Sequence, residues 1–470
     1  MTLFPTFADQ DGEFIAGPLY SKFKLTLESG YRQEALGPFF YTDRTPEVGQ
    51  LAISPFYCHT LTADVDWDEW EFLYPMFDYR RFGTEYRLQI GEMISFSGGK
   101  LPQEGDSQLF TIFPLYFQQR ASDPSLNYTA VVPFYGHMEN RLFRDDIKFV
   151  MFPLYSETRK KDVVTDNYLY PFFARSRGDQ LHGWEFWPIF GAEHKRTTTR
   201  TNYYADKMEI IGGYDKMFVL FPFLLKGRAG IGTTNPATGM TLVPFYNYLR
   251  SPARDETSYG WPLGYTKIDD REKNYIERDL FWPFVVSARG SKTVTHYLPF
   301  YSHSLSDGVE SDYYAWPIYK FNRLYDPPLD RTRTRLLFFI YSDIVEKNTQ
   351  TSDFKRRVDF WPFYTFHRDL DGNRQLQILA PLEPFFPNNR AVTREYSPIW
   401  SVWRAERNAR TGDTSQSFLW NLYRHEKEGS ARKFSLLFGL FQYQSTAEGR
   451  DWRIFFCHIG KKPAQRRPKS

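Results

Sequence analysis

The stretch NYTAVVPFYGHMENRLFRDDIKFVMFPLYSETRKKDVVTDNYLYPFF, from Asn127 to Phe173, decides how this chain is organised. It contains VPFY, FPLY and YPFF, and each of these places a proline among aromatic and aliphatic residues of the kind that favours β-strands. Proline cannot donate a hydrogen bond to a sheet, so it is uncommon inside strands. Its recurrence predicts that proline has a structural role in a repeated unit.

The same pattern recurs along the chain at a spacing of about 20 residues. From Pro114 to Pro188 the successive prolines are 19, 20, 18 and 17 residues apart. A period of this kind indicates one structural unit that is repeated in tandem. The prolines that mark the repeat are Pro114, Pro133, Pro153, Pro171, Pro188, Pro222, Pro244, Pro262, Pro283, Pro299, Pro317 and Pro362.

Two intervals between prolines are about twice the usual spacing. One runs from Pro75 to Pro114, and the other runs from Pro188 to Pro222. We expect each interval to contain one degenerate repeat, around Met93–Phe96 and around Met208–Ile211.

Short polar stretches separate the apolar cores, and their composition is that of hairpin loops. Examples are Ser287–Thr293 and Lys267–Asn274, which are rich in Gly, Ser, Asp or Asn. No segment has a sustained helical period. We therefore predict an all-β protein whose tandem strand repeats of about 20 residues form a large antiparallel up-and-down meander. Each long strand would carry one proline at its centre, and the prolines would lie in a line that kinks the sheet.

Both faces of the predicted strands are apolar around the proline, as in Val131–Tyr135. Burial of both faces requires a second layer, so we expect the meander to roll into a barrel-like or cocoon-like body. An open sheet or a solenoid is the alternative. The predicted domain organisation is a single repetitive body over residues 1–460, with about 22 to 24 strands. A disordered basic tail, KKPAQRRPKS, follows over residues 461–470.

Composition excludes several classes of protein. Aromatic residues make up 19% of the chain and charged residues 24%, and no apolar run is long enough for a transmembrane helix. A net charge of +3 argues against a dedicated nucleic-acid binder. With only Cys58 and Cys457, the chain cannot form a disulfide framework.

The strongest candidate for a metal site is the acidic stretch DVDWDEWEF. On a strand, Asp64, Asp66 and Asp68 would line one face and could bind a hard cation such as Ca²⁺. No calcium loop accompanies these residues, and a solvent-facing strand flank is the more common origin of such a pattern. The sequence contains no HExxH, GxSxG or phosphate-binding glycine motif. We therefore predict no catalytic residue and no cofactor.

These features favour a non-enzymatic, repetitive β-sheet protein of a bacterial cell envelope that supplies a structural or binding surface. Two alternatives remain open: a large outer-membrane β-barrel for solute or lipid passage, and a carbohydrate-binding or carbohydrate-active protein. The expected partners are an envelope polysaccharide, a lipid or a protein. The first residues lack a secretory signal, and the repeat begins almost at once, so we expect the native N-terminus to be missing.

Overall fold

The computed structural model describes residues 14–16, 18–62, 64–101, 105–202, 207–387, 389–447, 449–455 and 457–459. Over these residues the protein has 46 strands and very little helix, which confirms the predicted all-β antiparallel meander. The chain divides into two compact units, here called unit 1 (Met1–Glu92 with Leu324–Ser470) and unit 2 (Met93–Arg323). The single body over residues 1–460 stays a prediction, and the basic tail at 461–470 lies outside the described residues.

The first strands of unit 1 are β1 (Phe14–Ala16), β2 (Tyr20–Lys24), β3 (Tyr31–Ala35), β4 (Phe40–Arg44), β5 (Val48–Ile53), β6 (Tyr57–Thr62), β7 (Trp67–Phe72), β8 (Phe77–Phe82) and β9 (Glu85–Ile90). Its later strands are β35 (Leu329–Leu336), β36 (Tyr341–Asn348), β37 (Phe354–Phe360), β38 (Tyr364–Arg368), β39 (Arg374–Ile378), β40 (Trp403–Arg407), β41 (Thr414–Phe418), β42 (Tyr423–Glu428), β43 (Ala431–Leu436), β44 (Phe441–Thr446), β45 (Gly449–Ile454) and β46 (Cys457–Ile459).

The strands of unit 2 are β10 (Ile94–Leu101), β11 (Gly105–Ile112), β12 (Tyr116–Ala121), β13 (Tyr128–Val131), β14 (Tyr135–Arg141), β15 (Arg144–Val150), β16 (Tyr155–Lys160), β17 (Val163–Tyr168), β18 (Phe173–Gly178), β19 (Leu181–Phe186), β20 (Phe190–Lys195), β21 (Thr198–Asn202), β22 (Lys207–Ile211), β23 (Gly213–Val219), β24 (Leu224–Ile231), β25 (Ala237–Leu242), β26 (Tyr246–Arg250), β27 (Arg254–Tyr259), β28 (Tyr265–Asp270), β29 (Tyr275–Leu280), β30 (Val285–Gly290), β31 (Thr293–Tyr297), β32 (Tyr301–Ser306) and β33 (Val309–Tyr314). The remaining strand, β34 (Tyr319–Asp326), contains the boundary between the units.

The marker prolines lie in turns between strands and not inside strands, which corrects the predicted repeat. All twelve follow cis peptide bonds. At Pro114 the amide of Leu115 donates to the carbonyl of Ile112 at 2.7 Å. This is a type VI β-turn, whose third residue is a cis proline. Each period of about 20 residues is therefore a hairpin of two short strands, so the described chain has 46 strands where about 22 to 24 were predicted.

The proline turns of unit 2 follow one another along one edge of the sheet. This edge is the one where the strands end in turns, and it is not formed by an outermost strand. The amide of Val132 donates to the carbonyl of Leu115 at 2.8 Å, and the same link recurs between later turns. The predicted line of prolines is therefore confirmed, but the predicted kink is wrong because the line lies at an edge. A proline in a turn removes no hydrogen bond from the sheet, which explains why the repeat can keep one in every hairpin.

The two long intervals in the repeat have different origins. In the first, a turn without proline at 91–93 precedes β10, as expected for a degenerate repeat near Met93–Phe96. In the second, β20 pairs directly with β23, and β21 and β22 form a separate two-stranded sheet. The expected repeat at Met208–Ile211 is therefore an inserted hairpin.

The terminal strands of the described chain do not pair with each other. β1 pairs with β2, and β46 pairs with β45. Within the described ranges, the pairing that would close a barrel is therefore not found. None of the helices there is both long enough and apolar enough to cross a membrane.

In unit 1 a short helical segment packs on the faces of β5 to β7. It consists of a π-helical turn at Val392–Tyr396 and helix α1 at Ser397–Trp400. The hydroxyl of Tyr41 donates to the carbonyl of Arg394 at 2.7 Å, and the hydroxyl of Tyr396 donates to the carbonyl of Tyr74 at 2.7 Å. Early and late parts of the chain thus meet inside unit 1.

Candidate functional site

The residues on either side of each turn proline in unit 2 are apolar in every case. Because these turns are linked along one edge, their side chains form a continuous strip there. We call this strip the apolar turn edge. Its members are Phe113, Leu115, Val132, Phe134, Phe152, Leu154, Tyr170, Phe172, Trp187, Ile189, Phe221, Phe223, Val243, Phe245, Trp261, Leu263, Trp282, Phe284, Leu298, Phe300, Trp316 and Ile318.

A second set of apolar side chains lies beside this edge, on one face of the sheet. Directly opposite residues of an antiparallel pair share a face, so the strand registers define a row across unit 2. We call it the aromatic row. It runs through Ile94, Ile112, Tyr116, Val131, Tyr135, Val150, Tyr155, Tyr168, Phe173, Phe186, Phe190, Val219, Leu224, Leu242, Tyr246, Tyr259, Tyr265, Leu280, Val285, Tyr297, Tyr301 and Tyr314.

Two residues further from the turns, the same face becomes mostly charged or polar. The row there includes His137, Lys148, Glu157, Asp166 and Arg175. This charged or polar row also contains the apolar side chains of Trp184, Met217 and Met240. The polarity of the side chains therefore increases with distance from the turns, from the apolar turn tips, through the aromatic row, to the mostly charged or polar row.

Much of this apolar surface is open to solvent. Phe134 is 59% exposed, Phe245 70% and Phe300 73%. Monomeric proteins seldom expose contiguous apolar patches of more than a few hundred Å², and larger patches usually mark interaction sites. The apolar turn edge and the aromatic row are therefore the main candidate binding surface.

A second notable cluster is the charged interior of unit 1, around Arg394. Its guanidinium donates to Thr60 at 2.9 Å, to Glu69 at 2.9 Å and to Glu71 at 2.8 Å. Glu395, the next residue along, accepts a long hydrogen bond from the amide of Tyr74 at 3.4 Å. Three carboxylates thus lie near one arginine.

Two of these carboxyl groups are closed off from solvent, because Glu71 is 1% exposed and Glu395 is not exposed at all. Burial, aided by the charge of Glu69, raises the pKa of Glu71 to about 7 against the opposing effect of Arg394. Burial and the charge of Glu71 raise the pKa of Glu395 to about 8. The cluster therefore favours protonated carboxyl groups near neutral pH.

The three aspartates of the predicted metal site do not lie along one strand. Asp64 and Asp66 lie in the turn before β7, which begins at Trp67, and only Asp68 is in the strand. Asp66 is hydrogen-bonded to Arg81, and Asp68 accepts from Trp70 and lies 2.8 Å from a ring nitrogen of His59. The metal site stays a prediction, but the strand geometry assumed for it is wrong.

A different grouping has the spacing of metal ligands. The ligand atoms of His303, Glu310 and Asp312 lie within 4.8 Å of one another, and this is the only such group in the part of the chain that the structure describes. The ring of His303 is 2.6 Å from the carboxylate of Asp312. Since the two residues are directly opposite on β32 and β33, a cross-strand hydrogen bond accounts for their proximity.

Sequence analysis did not predict the apolar turn edge, because it assigned the apolar residues around each proline to the interior of a strand. A usable signal was present, since proline is excluded from central strands and favoured in tight turns. Arg394 offered no comparable signal, because its partners are more than 320 residues away in the sequence. In comparisons with known proteins, neither a family model nor a curated protein matches this chain.

Proposed function

We propose that the chain is a non-enzymatic, repetitive β-sheet protein of a bacterial cell envelope, and that the apolar turn edge is the surface by which it binds a lipid layer. The observation that carries this proposal is the unbroken apolar character of the turns and of the aromatic row across unit 2. A repeat that served only to build the sheet would not need large apolar side chains at exposed turn tips.

The order of residue types away from the turns matches the polarity gradient of a membrane surface. Phenylalanine, tryptophan and leucine occupy the tips, tyrosine is common in the aromatic row, and charged residues follow. Tyrosine and tryptophan favour the lipid headgroup level because one end of the ring is apolar and the other can hydrogen-bond.

The depth of the apolar strip also fits shallow insertion. From a turn tip such as Phe134 to the charged row at His137 is three residues, or about 10 Å at the usual strand rise. Proteins that lie on a membrane bury their apolar face by about 5–10 Å, whereas a span of the hydrocarbon core needs about 30 Å. The strip therefore favours insertion into one leaflet.

The test is sedimentation of the protein with phosphatidylcholine vesicles, which carry no net charge. We expect the double variant Phe245→Glu with Phe300→Glu to lose binding by at least about 100-fold, because each buried phenylalanine contributes about 1.5–3 kcal/mol. Both side chains are highly exposed, so the variant should keep the fold of the parent protein.

The matched control is Phe143→Glu, which changes a phenylalanine that is 96% exposed in a turn at the other end of the hairpin. This variant should bind vesicles as the parent protein does. Absence of vesicle binding by the parent protein, or an equal loss in the control, would contradict the proposal.

A further inference from the structure

A cavity of about 640 Å³ lies in unit 1, between the sheet and a wall that includes the start of the π-helical turn and residues before it. Its sheet side is formed by β5, β6 and β7, and its other wall by Pro387, Asn389, Arg390, Thr393 and Arg394. Cavities of about 300–1,000 Å³ are typical of sites for small molecules. The size therefore suits an organic ligand better than a single ion.

Two rows of side chains, each made of directly opposite residues on β5, β6 and β7, form the sheet side of the cavity. The row nearer the buried carboxyl groups joins Gln50, Thr60 and Glu69, and the next row joins Val48, Thr62 and Trp67. All six line the cavity, so they share one face of the sheet. One row supplies hydroxyl, amide and carboxylate groups, and the other ends in an indole ring.

The polar row is fixed in position by contacts with neighbouring side chains of the protein. Glu69 is held by Arg80 at 3.0 Å and by Arg394 at 2.9 Å, and the amide of Gln50 donates to the hydroxyl of Tyr41 at 2.8 Å. Groups held in this way lose little conformational freedom when a ligand binds. The cavity thus presents preorganised polar groups.

Trp67 gives the cavity an aromatic wall. Its ring lies 6.3 Å from that of Phe82, at an angle of 53°, which restricts its orientation. An indole ring packs well against the C–H face of a sugar ring, while planar polar side chains such as Gln50 hydrogen-bond to the hydroxyl groups. This combination of groups is suited to a saccharide.

Arg390 adds a positive charge at the rim. Its side chain is exposed, lines the cavity, and makes no ion pair with an acidic residue anywhere in the described ranges. The other two charged groups at the cavity, Glu69 and Arg394, are paired with each other. The charge that remains is cationic and would favour a carboxylate on the ligand.

We propose that this cavity binds an acidic saccharide, with Trp67 against a sugar ring and Arg390 on the carboxylate. The site is independent of the lipid-binding surface, which lies in unit 2. Loss of vesicle binding and loss of saccharide binding are therefore separate outcomes.

The experiment is isothermal titration of the full chain with digalacturonate, with cellobiose as the neutral probe and adenosine monophosphate as an aromatic anion of another class. We expect digalacturonate to bind more tightly than either of the others. Trp67→Ala should weaken its binding about 10-fold or more, because the sugar ring would lose its apolar contact with the indole. Arg390→Gln should remove the preference for the acidic sugar over cellobiose.

The matched controls change residues of the same types elsewhere in unit 1. Trp452→Ala removes an indole that is 53% exposed, and Arg450→Gln removes an exposed guanidinium. Neither should change the affinity for digalacturonate. Equal loss in Trp67→Ala and Trp452→Ala, no binding of digalacturonate, or tighter binding of adenosine monophosphate would overturn the proposal.

Discussion

The same position of the hairpin repeat is filled in opposite ways in two hairpins, one from each unit. In unit 2, Phe149 lies four residues before Pro153 and directly opposite Gly136. In unit 1, Glu71 lies four residues before Pro75 and directly opposite Cys58. Phe149 belongs to an apolar cluster, whereas Glu71 is a buried carboxyl group beside Arg394.

This difference indicates that the repeat specifies the strands and turns but leaves the chemistry of the interior free. The residue three positions after the proline is small in both hairpins, so that the long side chain opposite can lie over it. A Cβ at Gly136 would lie 2.5 Å from the ring of Phe149. An apolar side chain needs only room, whereas a buried carboxyl group also needs a partner such as Arg394.

The largest effect should follow from removal of that partner. We expect Arg394→Met to lower the free energy of unfolding by about 3 kcal/mol, because it removes the buried counter-charge of Glu71 and one of the two ion pairs of Glu69. Urea denaturation followed by tryptophan fluorescence measures the change. Arg390→Met, four residues earlier and exposed, is the control and should change stability by less than about 0.5 kcal/mol. Equal effects of the two variants would show that the ion pairs do not stabilise unit 1.

Overpacking at the equivalent position in unit 2 should have the next largest effect. Gly136→Ala places a methyl group 2.4 Å from the Cβ of Ala130 as well as against Phe149, and should cost about 1–3 kcal/mol. The second substitution Phe149→Leu should recover part of this loss. Ser156→Ala, at the same place in the next hairpin, already has room for its Cβ and should cost less than about 1 kcal/mol. Urea denaturation distinguishes these outcomes, and a neutral Gly136→Ala would contradict the packing argument.

The cluster around Arg394 should also make stability sensitive to pH, whereas the apolar cluster around Phe149 contains no carboxyl group. The pKa values of Glu71 and Glu395 are raised from 4.5 to about 7 and about 8, so the fold favours their protonated forms. Their contribution is complete below about pH 4.5 and is lost as the pH rises through 7 and 8. We expect the melting temperature to fall between pH 6 and pH 9.

Glu395→Gln should reduce this dependence, because glutamine imitates the protonated carboxyl group. Glu428→Gln is the control, since burial is not the main influence on that carboxyl group; its hydrogen bond from Lys24 lowers its pKa. A fall of the same size in Glu395→Gln and in the parent protein would show that Glu395 does not titrate in this range.

The sequence predicted the period and the fold class because both depend on local pattern. It could also have excluded the long strands, because a strand of about 20 residues would extend about 65 Å, whereas strands usually have five to six residues. The turns around Pro133 and Pro153 were misassigned because turns are ordinarily polar, and here they are apolar. The cluster at Arg394 could not be predicted, since Glu71 and Arg394 meet only through the folding of distant segments.

The smallest and most local effect should be a change in the rate at which Cys58 reacts. This thiol is fully buried, and burial raises its pKa to about 12, whereas Cys457 is exposed. At pH 8 iodoacetamide should therefore label Cys457 alone in the folded protein and both thiols in urea, as mass spectrometry would record. In Arg394→Met the labelling of Cys58 should become about 10-fold faster or more, because the segment that covers it is released more often. In Gly136→Ala it should not change. Faster labelling in both variants would mean that the two interiors open together, and the contrast between them would then have no consequence for local stability.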